Sequence, residues 1–275
     1  MKNVFKDVAY ATKSNAQKLD IYIPSHISGP YPVIAWLHPG GYTMGDKNMV
    51  EPITDYILDR GYAVVSINYR LADEACFPAQ IFDAKAAVRW IRANAATYNL
   101  NREKIAAWGV SAGSTFAALI GTSANVAELE DLSLGNPNES SHVSAVVAVI
   151  GPMDLLHMDS QLLQLGYKPL HDIPDSGPSM LIGGKLSQFP DRCHAINPAT
   201  YITSTCPPFY LQHGTADNLV PYLQSVNLAN ALSDAIGQDK VVLNLIENID
   251  HFNSMHNSTG NMQKALDFLD KYMRH

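Results

Sequence analysis

The sequence has little that would tie it to a polyanion or a membrane. Its 275 residues carry a formal net charge of -7 and no run of basic residues. That excludes an electropositive face for nucleic acid or anionic lipid. No apolar stretch is long enough to span a bilayer, and the opening "MKNVFKDVAYATK" lacks the apolar core of a secretion signal. The expectation is a soluble, cytoplasmic protein with no nucleic-acid and no membrane partner. Cysteine is scarce: Cys76, Cys193 and Cys206 stand at wide, unequal spacings that fit neither a disulfide framework nor a zinc ligand set. The histidines include no HExxH pair, and His251 and His256 are five apart, off one helix face, so no metal is expected. Charged residues make up only 16% against 47% hydrophobic, a balance that excludes disorder and supplies a sizeable core.

What is present is an alternation. Short apolar runs at residues 19–23, 33–37, 63–67, 105–108, 145–150, 209–212 and 241–246 read as strands. Between them lie amphipathic stretches. Ile81, Ala84, Val88, Ile91 and Ala95 recur at helical steps after Pro78, and residues 52–59 and 222–236 run up to glycine stops at Gly61 and Gly237. A last helix is expected over 262–272. The pattern predicts one α/β domain over 1–275, a mostly parallel central sheet flanked by helices. Two segments break the rhythm. Residues 125–142 are polar and acidic and read as a surface loop. Residues 151–208, rich in Pro, Gly, Met and Leu, read either as a small cap-like insertion over a pocket or as a packing excursion.

Four short motifs fall at strand ends, where parallel sheets place their ligands. In "KIAAWGVSAGSTFAALIG", Gly109 and Gly113 frame Ser111 between a strand and a helix, a setting that lets a serine be thrust out of the sheet. In "VIAWLHPGGYTMGDK", Gly40 and Gly41 follow a strand; alone they are a turn, and beside G-x-S-x-G they become amide donors for an oxyanion. "FYLQHGTADNLVP" carries Asp217, which as a lone residue would be a turn or cap. "LIENIDHFNSM" carries His251, which alone would be an ordinary surface histidine. Together they give the order Ser, Asp, His, each after its own strand. Serine is a poor nucleophile until a base, itself oriented by a third group, takes its proton. Asp250 stands beside His251, and which carboxylate orients the imidazole is left open. Arg70 and Asp83 read as a structural ion pair, and Cys76 has no histidine near it in sequence.

The motifs "LDIYIP", "WLHPGGYTMGDK", "SINYRLADEACFPAQIFDAKAAVRWIRANA", "GVSAGS", "GPMDL" and "PPFYLQHGTADNLVP", with the histidine at 251, cover nearly the whole chain in order. In these the sequence resembles the α/β-hydrolases that join hormone-sensitive-lipase-like esterases to the bacterial feruloyl-esterase-like (BD-FAE-type) carboxylesterases. The resemblance implies a serine esterase acting on short-chain acyl or aryl and sugar esters through an acyl-enzyme. Ser111 would be nucleophile, Asp217 acid and His251 base, with Gly40, Gly41 and Ala112 as oxyanion donors and no cofactor. The partner is then a small-molecule ester, with a homodimer left open. Tyr42, Met44 and Phe252, with Met255, are apolar neighbours of these loops and are expected to meet substrate. Three departures stand out: Pro39 replaces the first glycine of the usual oxyanion loop, Ser114 replaces the second glycine of "SAGG", and Asp250 replaces a small residue before the histidine. Arylformamidases, small peptidases and non-catalytic binding proteins share the scaffold and are the alternatives.

Overall fold

A computed structural model describes residues 3–124 and 126–274. Eight strands form one sheet: β1 (Asn3–Ala9), β2 (Lys18–Ile23), β3 (Tyr31–Leu37), β4 (Ala63–Ile67), β5 (Leu100–Val110), β6 (Ala145–Val149), β7 (Phe209–Gly214) and β8 (Val241–Ile246). Their spatial order is β1-β2-β4-β3-β5-β6-β7-β8. β2 is antiparallel to both β1 and β4, and every pairing from β4 to β8 is parallel. Central strands such as β3 read as unbroken apolar runs because both of their faces are covered. Val33, Ala35 and Leu37 point into one core, with Ile34 and Trp36 in the other.

Helices α1 (Glu51–Asp59), α2 (Ala79–Ala93), α3 (Ala112–Thr122), α4 (Met158–Gln164), α5 (Gly177–Ile182), α6 (Pro190–Ile196), α7 (Leu223–Ile236) and α8 (Thr259–Met273) complete the layers. α2, α3 and α7 cover the face of Val33 and Ala35 through Ile81, Val88, Phe116 and Leu232. α1 and α8 cover the other through Ile53, Ile57, Leu266 and Leu269. From β3 the chain leaves through α1 to β4, then crosses through α2 to β5 on β3's other side. The connections thus part at the carboxyl ends of β3 and β5, where a crevice opens.

All seven expected strands are present, β5 starting at Leu100 rather than 105. The eighth, β1, is an exposed edge strand of sequence NVFKDVA, broken by a register shift between Phe5 and Val8. α8 starts at Thr259, earlier than expected. Of the polar stretch expected from 125, that first residue lies outside the described residues, and the rest runs over two short 3-10 turns. Arg70 and Asp83 do pair: Nε and one terminal nitrogen of the guanidinium donate to the two carboxylate oxygens, both at 2.8 Å. Among the described residues no helix is long and apolar enough to cross a membrane.

The turn from β5 into α3 is built by close approach. Ser111 lies at φ 50°, ψ −122°. A Cβ on Gly109 would stand 2.3 Å from the Gly113 carbonyl oxygen, and one on Gly113 would stand 2.2 Å from the Leu37 carbonyl oxygen. Both obstacles are backbone and cannot rotate away. Gly113→Ala should therefore cost about 1–3 kcal/mol or more. Gly260→Ala, in α8 with nothing near its added carbon, should gain about 0.5–1 kcal/mol. Urea titration of the two variants checks the contrast; equal, small effects would mean the turn is looser than drawn.

Candidate active site

Four loops meet over the crevice. Ser111 follows β5, Pro39–Tyr42 follow β3, Asp217 follows β7 and His251 follows β8. The Ser111 hydroxyl lies 3.0 Å from His251 Nε2, and His251 Nδ1 lies 2.6 Å from Asp217 Oδ2. The structure therefore brings the three sequence-predicted residues into one hydrogen-bonded line. His251 is buried apart from a small edge, and Asp217 is fully buried. Asp250 answers the open question by its position. Its side chain is exposed, and only its backbone carbonyl takes part, accepting from His256 Nε2 at 2.9 Å.

Asp217 is fully buried, and protein donors take the place of water around both of its oxygens. Oδ1 accepts the amide N–H groups of Leu219 and Val220, at 3.0 and 2.8 Å. Oδ2 faces His251 and also His213 Nε2, at 3.3 Å. Burial pushes the carboxyl upward, but the hydrogen bonds of His213 and His251 overcome it and hold the group well below the usual carboxylate range. His213 is the residue that sequence reasoning passed over. It is fully buried, its Nε2 faces Val220 O at 3.0 Å as well as Asp217, and its Nδ1 faces the Ser225 hydroxyl at 2.7 Å. Two acceptors at Nε2 place the proton there, and Nδ1 then accepts from Ser225. The sole signal in sequence was its place four residues before Asp217.

The glycine loop is held from behind. Gly40 has φ 134°, and its carbonyl accepts the amides of Thr43 and Met44, both at 3.1 Å. Among the described residues the amides of Gly40, Gly41 and Ala112 have no protein acceptor outside regular helix or strand bonding, and all three residues line the pocket with Ser111 and His251. Ala112 also opens α3, so its N–H belongs to the positive end of a helix. The pocket measures about 630 Å³ and is mostly apolar in its walls. Segment 151–208 supplies Met158, Leu170, His171 and Pro178 to that wall. A Cβ on Gly177 would stand 2.0 Å from the Gly41 carbonyl oxygen, so α5 abuts the glycine loop directly.

The three expected substrate neighbours differ in placement. Met44 and Phe252 stand at the rim, 65% and 86% exposed. Tyr42 touches the pocket but is 1% exposed, its hydroxyl tied to Thr115 Oγ1 at 2.8 Å and that hydroxyl donating to Pro152 O. Its first task is to anchor the loop. Met255 is exposed but does not line the pocket. With Met49 and Leu170, the rim exposes more apolar surface than the sequence suggested. Among the described residues no cluster of His, Cys, Asp or Glu is arranged to hold a metal.

His38, behind the loop, is buried and stacked on Tyr69 with ring centroids 4.2 Å apart. Its Nδ1 donates to Pro39 O at 2.8 Å, and Tyr69 donates to the His38 carbonyl at 2.7 Å. Burial pulls its imidazole down to about 4, against a weaker upward pull from the Pro39 carbonyl. Between that value and the ordinary histidine value near 6.5 the unfolded chain binds more protons, so this contribution to stability is complete above 6.5 and lost as pH falls to 4. His38→Phe keeps the stack and removes the titration. Its stability deficit relative to the native chain should shrink by about 3 kcal/mol between pH 7 and pH 4. A deficit constant across that range, by urea titration, would mean His38 is not held neutral.

The chain is 30% identical over 232 residues to the esterase LipQ of Mycobacterium tuberculosis, covering 83% of this chain and 52% of that one. The chain spans about half the length of the curated relatives it matches first. A truncated carbohydrate esterase from gut microbiota superposes with a TM-score of 0.88 at 31% identity, covering 99% of this chain and 97% of that one. A bifunctional GH43-CE protein of Bacteroides eggerthii superposes with a TM-score of 0.87 at 33% identity, covering 98% of this chain and 38% of that one. The BD-FAE family model matches residues 19–232, and with the eight-stranded sheet and its loop order this chain belongs to the BD-FAE family of α/β-hydrolases.

Proposed function

We propose that the chain is a serine esterase that hydrolyses carboxylic esters through an acyl-enzyme. The observation that carries this reading is the line Ser111–His251–Asp217 at 3.0 and 2.6 Å, set beside unpaired amides in an apolar pocket. His251 Nε2 takes the Ser111 proton as the oxygen attacks the ester carbonyl. The negative charge that develops on the carbonyl oxygen falls toward the amides of Gly40, Gly41 and Ala112 and the N-terminus of α3. The imidazolium then hands its proton to the departing alkoxide. Water, deprotonated by the same nitrogen, attacks the acyl carbon and frees the acid. Asp217 keeps the Nδ1 tautomer and stabilises the imidazolium, with its own charge secured by four hydrogen-bond donors.

Short acyl groups on aryl or sugar alcohols suit the pocket volume and its cover by segment 151–208, which serves as a small cap. The names of the relatives, an esterase and a carbohydrate esterase, support the same class.

Two variants separate the roles. Ser111→Ala should remain folded and lose about 10³-fold or more of kcat on a simple acetate ester, because the three groups act as a unit. A serine-directed phosphonate should add once, and peptide mapping should find it on Ser111. Labelling at Cys76 or another serine would refute the assignment. Asp217→Asn should lower kcat about 10²–10⁴-fold by reversing the tautomer of His251, and Asp250→Asn, exposed and screened, by less than about threefold. Equal losses would show that Asp250 shares the role.

A further inference from the structure

The amides that fill Oδ1 of Asp217 are themselves held from outside the sheet. Leu219 and Val220 give their N–H groups to that oxygen. The Leu219 carbonyl is taken by His171 Nε2, 2.7 Å away. A carbonyl only accepts, so Nε2 carries the proton and donates. His171 belongs to segment 151–208, and its ring is buried and lines the pocket. Among the described residues this is the sole hydrogen bond between that segment and the turn 217–220. The rest of His171 is fixed as firmly. Asp159, on α4, accepts the consecutive amides of Leu170, His171 and Asp172 at 2.8, 3.0 and 2.9 Å. The His171 carbonyl accepts the hydroxyls of Ser176 and Ser179. Ser176 caps α5, the helix that abuts the glycine loop. Helices of six or seven residues are too short to hold themselves, and these side-chain bonds to backbone supply the order that they lack.

We infer that His171 is a positioning residue: it carries the order of segment 151–208 to the turn that solvates Asp217, and through Asp217 to His251. The inference rests on the esterase reading above. A buried carboxylate keeps its charge and its orientation only while its lone pairs are filled. If the 217–220 turn swings outward, Oδ1 loses both amides. The carboxylate then turns to recover donors, and His251 Nδ1 loses the aligned acceptor it has at 2.6 Å. Misplacement of a reacting group by about 1 Å costs on the order of 10²-fold in rate. His171 acts at one remove, and its loss leaves the bond from His213 to Asp217 in place. A smaller effect is therefore expected, about tenfold, the worth of one buried hydrogen bond. Nε2 is committed to Leu219 and is not free to donate to substrate, so the effect falls on turnover and not on binding.

The test is a double-mutant cycle read with a fluorogenic acetate ester. His171→Phe keeps a ring in the wall and removes the donor. It should lower kcat about tenfold and leave KM within about twofold. His171→Gln, whose amide nitrogen reaches as far as Nε2, should recover most of the loss. In an Asp217→Asn background His171→Phe should cost less than about twofold, because the group it acts through is already gone. Asp159→Ala, which frees the three amides behind His171, should repeat part of the kcat loss. Where the phenylalanine variant does not fold, His171→Asn, one carbon too short to reach Leu219, takes its place. A raised KM with kcat unchanged would make His171 a substrate contact and overturn the inference. Equal losses in the native and Asp217→Asn backgrounds would overturn it too, as would native kcat in both His171→Phe and Asp159→Ala. If no His171 variant folds, the residue supports the fold and not the turn. Each of these sinks the positioning role alone; a native protein inert toward every ester sinks the esterase reading as well.

Discussion

Everything at the crevice depends on one backbone conformation, that of Ser111 at φ 50°, ψ −122°. A non-glycine residue held there costs on the order of 1–3 kcal/mol, and it persists only where its surroundings over-determine it. Here they do. The Ser111 amide donates to Val149 O at 2.8 Å, and its carbonyl accepts from Ser114 N at 2.9 Å. The glycines on either side let α3 start almost in contact with the end of β3. That contact has a second effect. Gly113 presses on the carbonyls of Leu37 and His38, the residues that launch the glycine loop, so the serine and the loop amides share one rigid frame. Ser114, a glycine in the pattern the sequence resembles, adds to it: its hydroxyl donates to Val149 O at 2.7 Å and accepts from Val149 N at 3.0 Å. The exchange ties α3 to β6.

The electrostatics of the site follow from a similar over-determination at Asp217. A buried carboxylate is costly unless its lone pairs are filled. Two backbone amides and two histidines fill them. His213 is in turn fixed by Ser225 on α7, so the line that begins at the Ser111 hydroxyl ends inside the helical layer. An imidazole held by so well anchored a carboxylate is fixed in one orientation, as the proposed role of general base requires.

Much of this was legible in the sequence, for physical reasons that also set the limit. The strands from β2 to β7 are buried on at least one face and, with the half-buried edge strand β8, declare themselves by apolar content. β1 does not, because Lys6 and Asp7 sit on an exposed edge where polar residues are tolerated and discourage pairing with another chain. The helices of residues 151–208 are six or seven residues long, too short for a periodicity of 3.6 to repeat convincingly. Ser111, Asp217 and His251 were legible because each follows a strand, and strand ends are fixed by topology. His213 was not, since the partner that gives it meaning, Ser225, comes from a separate element. Tyr42 lines the pocket as expected, and what the sequence did not reveal is its anchoring: the hydroxyl has a buried partner and the ring packs edge-on to Phe116.

Pro39 is the departure that most needed a structure. Proline has no N–H, so it would damage the site if position 39 supplied a donor. The loop instead uses that residue for its carbonyl, which accepts from the neutral His38 imidazole at 2.8 Å. Gly45 packs against the same oxygen closely enough that a Cβ there would stand 2.2 Å away. The Gly40 carbonyl is likewise turned back to receive Thr43 and Met44. With successive carbonyls drawn to the rear of the loop, the amides that follow them, those of Gly40 and Gly41, are left to face the pocket. On the proposed reading the donors begin one residue after the proline. Its fixed φ restricts the unfolded chain, and its missing N–H falls outside the amides of Gly40 and Gly41 that the proposed esterase would use.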